Sequence, residues 1–233
     1  MSSSAGAAPP RRQLYGRAKG KALRAGQSHR IEQLLPKITI DLEKLREGPA
    51  AQFPHKPSGI FLEIGFGGGE HLAAMARAHP EAGYLGVEPF LNGVAKLLGA
   101  IEAENITNIR LLRGDGRHVL NALPKSSLDA VFLLYPDPWP KRRQRKRRIV
   151  DEAFLDELAR VIRPGGEFRF ASDIDDYVGW TLARILPHAG FEWVAKSPSD
   201  WLDPWEGWHR TRYEEKAIRE GRVPSYLRFR RKA

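Results

Sequence analysis

A carboxylate enclosed by prolines follows the most continuous apolar stretch of the chain. Asp137 lies between Pro136 and Pro138, directly before Trp139, and the apolar residues 130–134 precede this loop. An uninterrupted apolar run of this length is typical of a central parallel strand that is covered on both faces. Alternate prolines cannot continue a strand ladder or enter a helix, so we expect an extended, stiff loop. Ligands bind at the carboxyl edge of such sheets, which makes Asp137 a candidate site residue.

A dense cationic segment comes directly after this loop. Seven of the eight residues 141–148 are basic. Together with Asp137 and Trp139, the segment offers a carboxylate, a flat ring and positive charge, which suits a nucleic-acid base with its phosphates alongside. The alternative is a packed tryptophan beside a merely solvated charge run. The candidate phosphate contacts are Arg143, Arg145, Lys146, Arg147 and Arg148.

A glycine-rich turn connects a predicted strand to a predicted helix, as in an α/β unit. Residues 60–64 predict a strand, and a helix is predicted from near Gly69 to just before Pro80. Gly65 and Gly67 between them permit a tight turn and a close approach of a ligand to the backbone. The pattern nearly matches the dinucleotide fingerprint, but its last position is Glu70, and no phosphate-loop lysine follows. A plain strand-to-helix turn is the alternative.

Acidic residues mark the ends of three predicted strands. Glu63 ends the first strand, Glu88 follows the strand at 84–87, and Asp115 follows the strand at 108–112. Buried acids need partners, and Glu88 stands near the spacing at which a carboxylate accepts from ribose hydroxyls. Three carboxylates at one edge would repel a bound phosphate. The arrangement therefore favours a nucleoside cofactor such as S-adenosylmethionine over NAD.

Composition limits the class of protein. The chain has 233 residues, a net charge of +10 and no cysteine, which excludes disulfides and thiolate metal ligands. Its excess positive charge lies in residues 1–58, 141–148 and 210–233. This distribution predicts a polyanionic partner. No run is apolar enough to span a membrane, no secretory signal is evident, and we expect a cytoplasmic protein.

The two ends of the chain predict different structures. Residues 1–58 are predicted to be a basic, partly disordered extension, with a short helix within 31–45, and residues 59–233 to be one α/β domain. The first 30 residues also have the composition of a transit peptide. Further elements are expected at 149–162 (helix), 167–171 (strand, followed by Asp173), 191–194 (strand) and 226–231 (edge strand). The histidines show no metal-ligand spacing, so no metal is predicted.

Six motifs in order carry a family resemblance: FLEIGFGGGEHL, GVEPF, LLRGDG, LLYPDPWPKRRQRKRRIV, FRFASD and TRYE. From Ile60 to the C-terminus the chain resembles the bacterial tRNA (guanine-N7)-methyltransferases of the class I methyltransferase superfamily. The glycine motif is shared across that superfamily, whereas P-D-P-W with its basic run and the later T-x-[FY]-E are specific. The resemblance implies a Rossmann-like, seven-stranded, mostly parallel sheet with helices on both faces and an antiparallel last strand.

The resemblance also implies roles for individual residues. S-adenosylmethionine would contact Glu63, Gly65, Gly67, Glu88, Asp115 and Asp137, and Asp137 would be catalytic. The tRNA substrate, methylated at guanine 46 of its variable loop, would contact Lys141, Asp173, Thr211, Arg212, Tyr213 and Glu214. Pro140 and Tyr213 depart from the commoner His and Phe of the family.

The chemistry of guanine N7 agrees with these residue types. N7 carries a free lone pair at neutral pH, so its methylation needs positioning and no strong base. Asp173 and Glu214 are candidate readers of guanine N–H groups, and Trp139 or Tyr213 could stack on a base that has left its stack. The alternatives are an exocyclic-amine methyltransferase, which favours a D-P-P-Y-like loop, and a non-catalytic RNA-binding module. A nicotinamide oxidoreductase would need glycine in place of Glu70.

Overall fold

A single seven-stranded sheet organises the molecule. The computed structural model describes residues 18–233. The strands lie in the order β3-β2-β1-β4-β5-β7-β6. Their bounds are β1 Ile60–Ile64, β2 Gly83–Val87, β3 Ile109–Leu112, β4 Leu128–Leu134, β5 Ile162–Ser172, β6 Phe191–Trp193 and β7 Ser225–Arg231. The first five strands pair in parallel and β7 is antiparallel to both neighbours, which confirms the predicted fold class.

The prediction that residues 226–231 form an edge strand is wrong. β7 lies inside the sheet, between β5 and β6. Its alternating arginines are tolerated there because the neighbouring strands supply carboxylates: Arg228 pairs with Glu167, and Arg230 with Glu192. Glutamates on the adjacent strands neutralise these arginines, whose alternation with apolar residues had indicated a solvent-exposed edge strand.

Ten α-helices are described, with bounds α1 Ala25–Gln33, α2 Leu35–Ile38, α3 Leu42–Glu47, α4 Glu70–Ala78, α5 Leu91–Ala103, α6 Gly116–Ala122, α7 Glu152–Val161, α8 Asp175–Ile185, α9 Ser199–Leu202 and α10 Arg212–Arg219; 3-10 turns cover Pro49–Gln52 and Arg142–Arg147. α4 confirms the helix predicted after the glycine turn. α7 is shorter than predicted because Asp151 caps its start, accepting from the Phe154 N–H at 2.9 Å.

In residues 18–233, no helix has the length and apolar character needed to cross a membrane.

The sheet buries apolar side chains on both faces. Alternation along β1 sends Leu62 and Ile64 into one core cluster and Phe61 towards the other face. The first cluster also holds Val131 and Leu133 of β4. Two-sided burial explains the uninterrupted apolar run of β4 and fixes the carboxyl ends of β1, β2 and β4 side by side.

The described part of the N-terminal extension packs on this domain. The helix expected within 31–45 is divided among α1, α2 and α3, since Pro36 begins a new turn and Asp41 caps α3. Leu45 is fully buried in the first core cluster. The predicted disorder of the chain start concerns residues that fall mainly outside the described range. The division at residue 58 stays a prediction.

Candidate functional site

A cavity with about 1360 Å³ of empty, solvent-open space lies at the carboxyl ends of β1, β2 and β4. This is the sheet edge at which α/β proteins bind ligands. Of the predicted cofactor residues, it brings together Gly65, Gly67, Glu88, Asp115 and Asp137. Arg147 and Tyr213 of the predicted RNA contacts line it too, as do Trp139, Phe90, Arg117 and Tyr177.

The glycine turn forms the floor of this cavity. Gly65 and Gly67 have φ angles of 75° and 56°, a region in which side chains are strained. A Cβ on Gly67 would lie 2.9 Å from the Tyr213 ring, and a Cβ on Gly93 would lie 2.1 Å from the Gly67 carbonyl oxygen. Glycine at these positions therefore lets Tyr213 and α5 close onto the turn, as well as permitting a ligand to approach.

Glu88 is held firmly by the backbone. Its Oε2 accepts from the Gly67 N–H at 2.7 Å, and its Oε1 accepts from the Phe90 N–H at 2.8 Å. Burial raises the pKa of Glu88; the two N–H donors oppose this shift, and the nearby Asp137 and Glu63 carboxylates add to it. Each oxygen keeps a lone-pair direction for another donor, such as a ribose hydroxyl.

Asp115 is the N-cap of α6, the helix that follows β3. Its Oδ1 accepts from the Arg117 N–H at 3.0 Å, as an N-cap does. The Arg117 guanidinium is 3.9 Å from the same oxygen. The residue is 8% exposed and lines the cavity, so its other oxygen can accept from a ligand amine.

Glu63 does not line the cavity. Ile64 faces the cavity, and alternation along β1 turns Glu63 to the opposite face. There Glu63 Oε2 lies 2.7 Å from His71 Nδ1, and both side chains are buried. The structure thus gives this buried acid a protein partner that the sequence analysis did not name. Its contact with a cofactor stays a prediction.

The Asp137 loop is less extended than predicted. Tyr135 and Trp139, one on each side of the P-D-P segment, have φ angles of 49° and 43°. Left-handed backbone at non-glycine residues is costly and persists only where surrounding structure imposes it. Burial of the carboxyl raises the pKa of Asp137, and among residues 18–233 no hydrogen-bond donor to that carboxyl is found. The group is preorganised, with its acceptor sites open to the cavity.

The basic segment 141–148 divides into outward and inward cations. Lys141, Arg143 and Lys146 are exposed. Arg145 is partly exposed and pairs with Asp176 at 2.6 Å. The Arg147 guanidinium lies over the Trp139 ring at 4.8 Å from its centroid, at the cavity wall.

Arg148 requires a correction. It was predicted to contact RNA, but its side chain is 0% exposed. It donates to the Pro138 carbonyl at 2.9 Å, pairs with Asp176, and stacks on the Tyr177 and Trp180 rings. A side chain enclosed in this way cannot reach a phosphate in solvent.

The T-x-Y-E segment also contains structural residues. Thr211 is the N-cap of α10 and accepts from the Glu214 N–H at 3.2 Å. Glu214 is 1% exposed and accepts from Trp208 Nε1 at 2.8 Å and from the Tyr226 hydroxyl at 2.7 Å. Protein donors thus hold one position on each of its oxygens, and recognition of guanine by Glu214 stays a prediction.

The other half of this segment covers the glycine turn. Arg212 Nε donates to Glu70 Oε1 at 2.7 Å, which ties α10 to the start of α4. Tyr213 is 46% exposed and lines the cavity. The segment thus presents one flat ring to a ligand and one ion pair to the scaffold.

Asp173 follows β5 and is paired. Arg222 Nε donates to its Oδ2 at 2.5 Å. Its Oδ1 is left for a substrate donor, so guanine recognition by Asp173 stays a prediction. Among the described residues, no cluster of three potential ligands could hold a metal ion.

Three functional candidates escaped sequence reasoning: His71, Tyr177 and Asp176. His71 and Tyr177 lie on helices whose apolar spacing gives no reason to single them out. Asp176 was visible only as an acid in the first turn of a helix, a position where acids are common. Asp176 and Tyr177 meet Arg148 from another segment of the chain, and His71 meets Glu63 across a strand and a turn, so only the folded chain shows these contacts.

Solved structures with the same fold include methyltransferases. The 16S rRNA methyltransferase KamB superimposes with a TM-score of 0.56 at 18% identity, covering 93% of this chain and 99% of that one. A structure described as an antibiotic-related methyltransferase gives a TM-score of 0.54 at 16% identity, covering 86% and 99%. At such identities the likeness shows the fold alone.

Sequence relatives define the family. The family model described as "Putative methyltransferase" matches residues 57–225. The tRNA (guanine-N(7)-)-methyltransferase of Rhizobium meliloti (strain 1021) is 54% identical, with 94% of each chain covered. That of Nitrobacter winogradskyi is 52% identical, with 94% of this chain and 85% of the relative covered. The chain therefore belongs to the tRNA (guanine-N(7)-)-methyltransferase family, as its motifs had indicated.

Proposed function

We propose that this protein transfers the methyl group of S-adenosylmethionine to N7 of a guanine in tRNA, at position 46 of the variable loop. The observation that carries the proposal is the cavity, in which Glu88, Asp115 and Asp137 surround a glycine turn. Family membership supports the same reaction. The set of acceptors suits a nucleoside with hydroxyl and amine donors, and a tRNA substrate supports the predicted cytoplasmic location.

The residues present fit S-adenosylmethionine. Glu88, fixed by two backbone N–H groups, would accept from the ribose hydroxyls. Asp115 would accept from the adenine amine, and Asp137 from the cationic amino group of the methionine part. The Gly65 and Gly67 backbone permits close approach. When bound, the cofactor supplies an electrophilic methyl group on a sulfonium.

The residues at the cavity mouth would position the guanine. The Trp139 and Tyr213 rings both line the cavity and offer flat faces for a base that has left its stack. N7 attacks through its own lone pair, so the protein removes no proton and its task is alignment. Well-oriented reactants gain about 7–11 kcal/mol from positioning. As positive charge passes to the purine ring, the Asp137 carboxylate stabilises it.

Exposed cations beside the cavity would bind the tRNA phosphates. Lys141, Arg143 and Lys146 are exposed next to the Asp137 loop, and Arg145 is partly exposed. Asp173 would accept from guanine N–H groups through the oxygen that Arg222 leaves open. Thr211 caps α10, and Glu214 ties that helix to Trp208 and Tyr226.

The test is methylation of unmodified tRNA transcript by purified protein with methyl-labelled S-adenosylmethionine. Nucleoside mass analysis with chromatographic standards should find N7-methylguanosine and no N2-methylguanosine. A transcript with adenine in place of the variable-loop guanine is the matched control and should stay unmethylated. An exocyclic-amine product would establish the alternative reaction class. Absence of any transfer from a cofactor that binds would reject the enzyme.

A further inference from the structure

The buried Arg148 joins the Asp137 loop to α8. Its Nε donates to the carbonyl of Pro138, the residue next to Asp137, at 2.9 Å. Its Nη1 donates to the Asp176 carbonyl at 3.2 Å, and its Nη2 bonds the Asp176 carboxylate. The guanidinium lies 4.7 Å from the Tyr177 ring centroid and 5.1 Å from that of Trp180. All three guanidinium nitrogens thus have acceptors, and the group also packs against two aromatic rings.

Asp176 divides its carboxylate between two arginines of different exposure. Oδ2 binds the fully buried Arg148, and Oδ1 binds Arg145, whose side chain is 38% exposed. The pKa of Asp176 is held low chiefly by the hydrogen bond from Arg148. The inner pair is shielded from solvent on the arginine side, whereas the outer pair stays open to water and to a phosphate.

The Asp137 loop needs such an external anchor. Tyr135 and Trp139 hold left-handed φ angles that side chains disfavour. No hydrogen bond to the Asp137 carboxyl is found among residues 18–233, so this carboxyl gives the loop no fixed contact of its own. The Arg148 bond to Pro138 is therefore placed where it can fix the direction of the neighbouring carboxylate.

We propose that Arg148 and Asp176 are positioning residues for methyl transfer, which hold the Asp137 carboxylate in its productive direction. The inference rests on the proposed function and assigns these two residues a role in the chemical step. Arg145, the outer partner of Asp176, instead belongs to the RNA-binding surface. Displacements of about 1 Å at a reacting group reduce rates by roughly 10²-fold, so loss of this anchor affects turnover before affinity.

Asp176→Asn is the decisive variant, because Asp176 is 44% exposed at its side chain and the amide keeps its shape. We expect single-turnover methylation at saturating tRNA and cofactor to fall about tenfold. Affinity for tRNA should stay equal or rise, since the change removes a negative charge beside the basic segment. A misfolded site would instead lower both quantities. Arg148→Lys keeps the charge without the planar fork and should lower turnover further.

Glu104→Gln is the matched control. Glu104 pairs with Arg77 at 2.6 Å, its side chain is 37% exposed, and it lies at the end of α5, away from the Asp137 loop. The same acid-to-amide change there should leave turnover and affinity at wild-type values. Thermal unfolding of each variant establishes that the fold is intact.

A double variant tests whether the anchor acts through Asp137. In the background of Asp137→Asn, adding Asp176→Asn should cost little more, because the group being positioned is already lost. Two results would overturn the inference while leaving the proposed function intact. One is a double variant whose loss of turnover is the product of the two single losses, and the other is normal turnover in folded Asp176→Asn. A wild-type protein that methylates no guanine would instead reject the proposed function, and this inference with it.

Discussion

Two carboxylates that line the same cavity, Glu88 and Asp137, are held in opposite ways. Glu88 is fixed through its own oxygens, each of which accepts a backbone N–H. Asp137 is fixed through its main chain, by prolines, left-handed neighbours and the Arg148 bond to the Pro138 carbonyl. Burial raises the pKa of both groups.

This difference separates a preformed binding group from a group kept open for reaction. The two backbone N–H groups replace much of the hydration that the Glu88 carboxylate loses on burial. A ligand hydroxyl therefore binds a carboxylate that is already hydrogen-bonded. Asp137 carries a desolvated negative charge, which a cationic ligand group would stabilise. Interactions that strengthen as charge moves in the transition state raise kcat, whereas interactions equal in both states raise affinity alone. We therefore expect Asp137 to govern turnover and Glu88 to govern cofactor binding.

The largest expected effect comes from Asp137→Asn. The amide keeps the shape and removes the charge, so kcat should fall by roughly 10²–10³-fold, as on loss of one preorganised electrostatic group. The measurement is single-turnover methylation at saturating substrates, beside a separate tRNA binding curve that should change little. Near wild-type turnover would remove Asp137 from catalysis, and lost tRNA binding with normal turnover would make it a docking residue.

Glu88→Ala should act on affinity. We expect S-adenosylmethionine binding to weaken by about 1–3 kcal/mol, the cost of losing hydrogen bonds to a charged acceptor and leaving two N–H groups unpaired. Glu88→Gln, which keeps one acceptor oxygen, should lose less. Calorimetry reports both values. If saturating cofactor fails to restore turnover in Glu88→Gln, the contrast between the two carboxylates does not hold.

The exposed cations should act on tRNA affinity, and not on the cofactor binding assigned to Glu88 or the turnover assigned to Asp137. Replacing Lys141, Arg143 and Lys146 with glutamine should flatten the salt dependence of tRNA affinity by about two or three contacts, at ~0.7–0.9 log units each. Cofactor affinity should stay constant. An unchanged salt slope would assign these side chains to a solvated surface without RNA contact.

The smallest effect concerns stability without ligand. Because the folded pKa of Asp137 is raised, its contribution to stability is present below the ordinary value of 3.8 and is lost as pH rises through the folded value. At pH 7 the folded protein therefore carries a desolvated charge, and Asp137→Asn should melt at a slightly higher temperature than wild type. The gain should shrink as the pH approaches 4. A lower melting temperature at pH 7 would mean that the carboxylate has a stabilising partner.

Local patterns were sufficient for most of the fold. The β1 strand, the glycine turn and α4 follow from an apolar run, a cluster of glycines and helical spacing, all within twenty residues. The place of β7 did not follow, since its alternating arginines resemble a solvent edge until Glu167 and Glu192 are known to lie beside them. Residues from three separate segments decide that strand's environment.

The site shows the same division. Gly65, Gly67, Glu88, Asp115 and Asp137 were found from the sequence because each follows a strand, and parallel strands end at one edge. Glu63 was expected there too, but the two-residue alternation of a strand turned it towards His71. Sequence alone thus determined which chemistry the edge offers. Only the tertiary structure decided that Arg148 and Glu214 are buried among distant partners, because a charged group's exposure depends on what the rest of the chain packs around it.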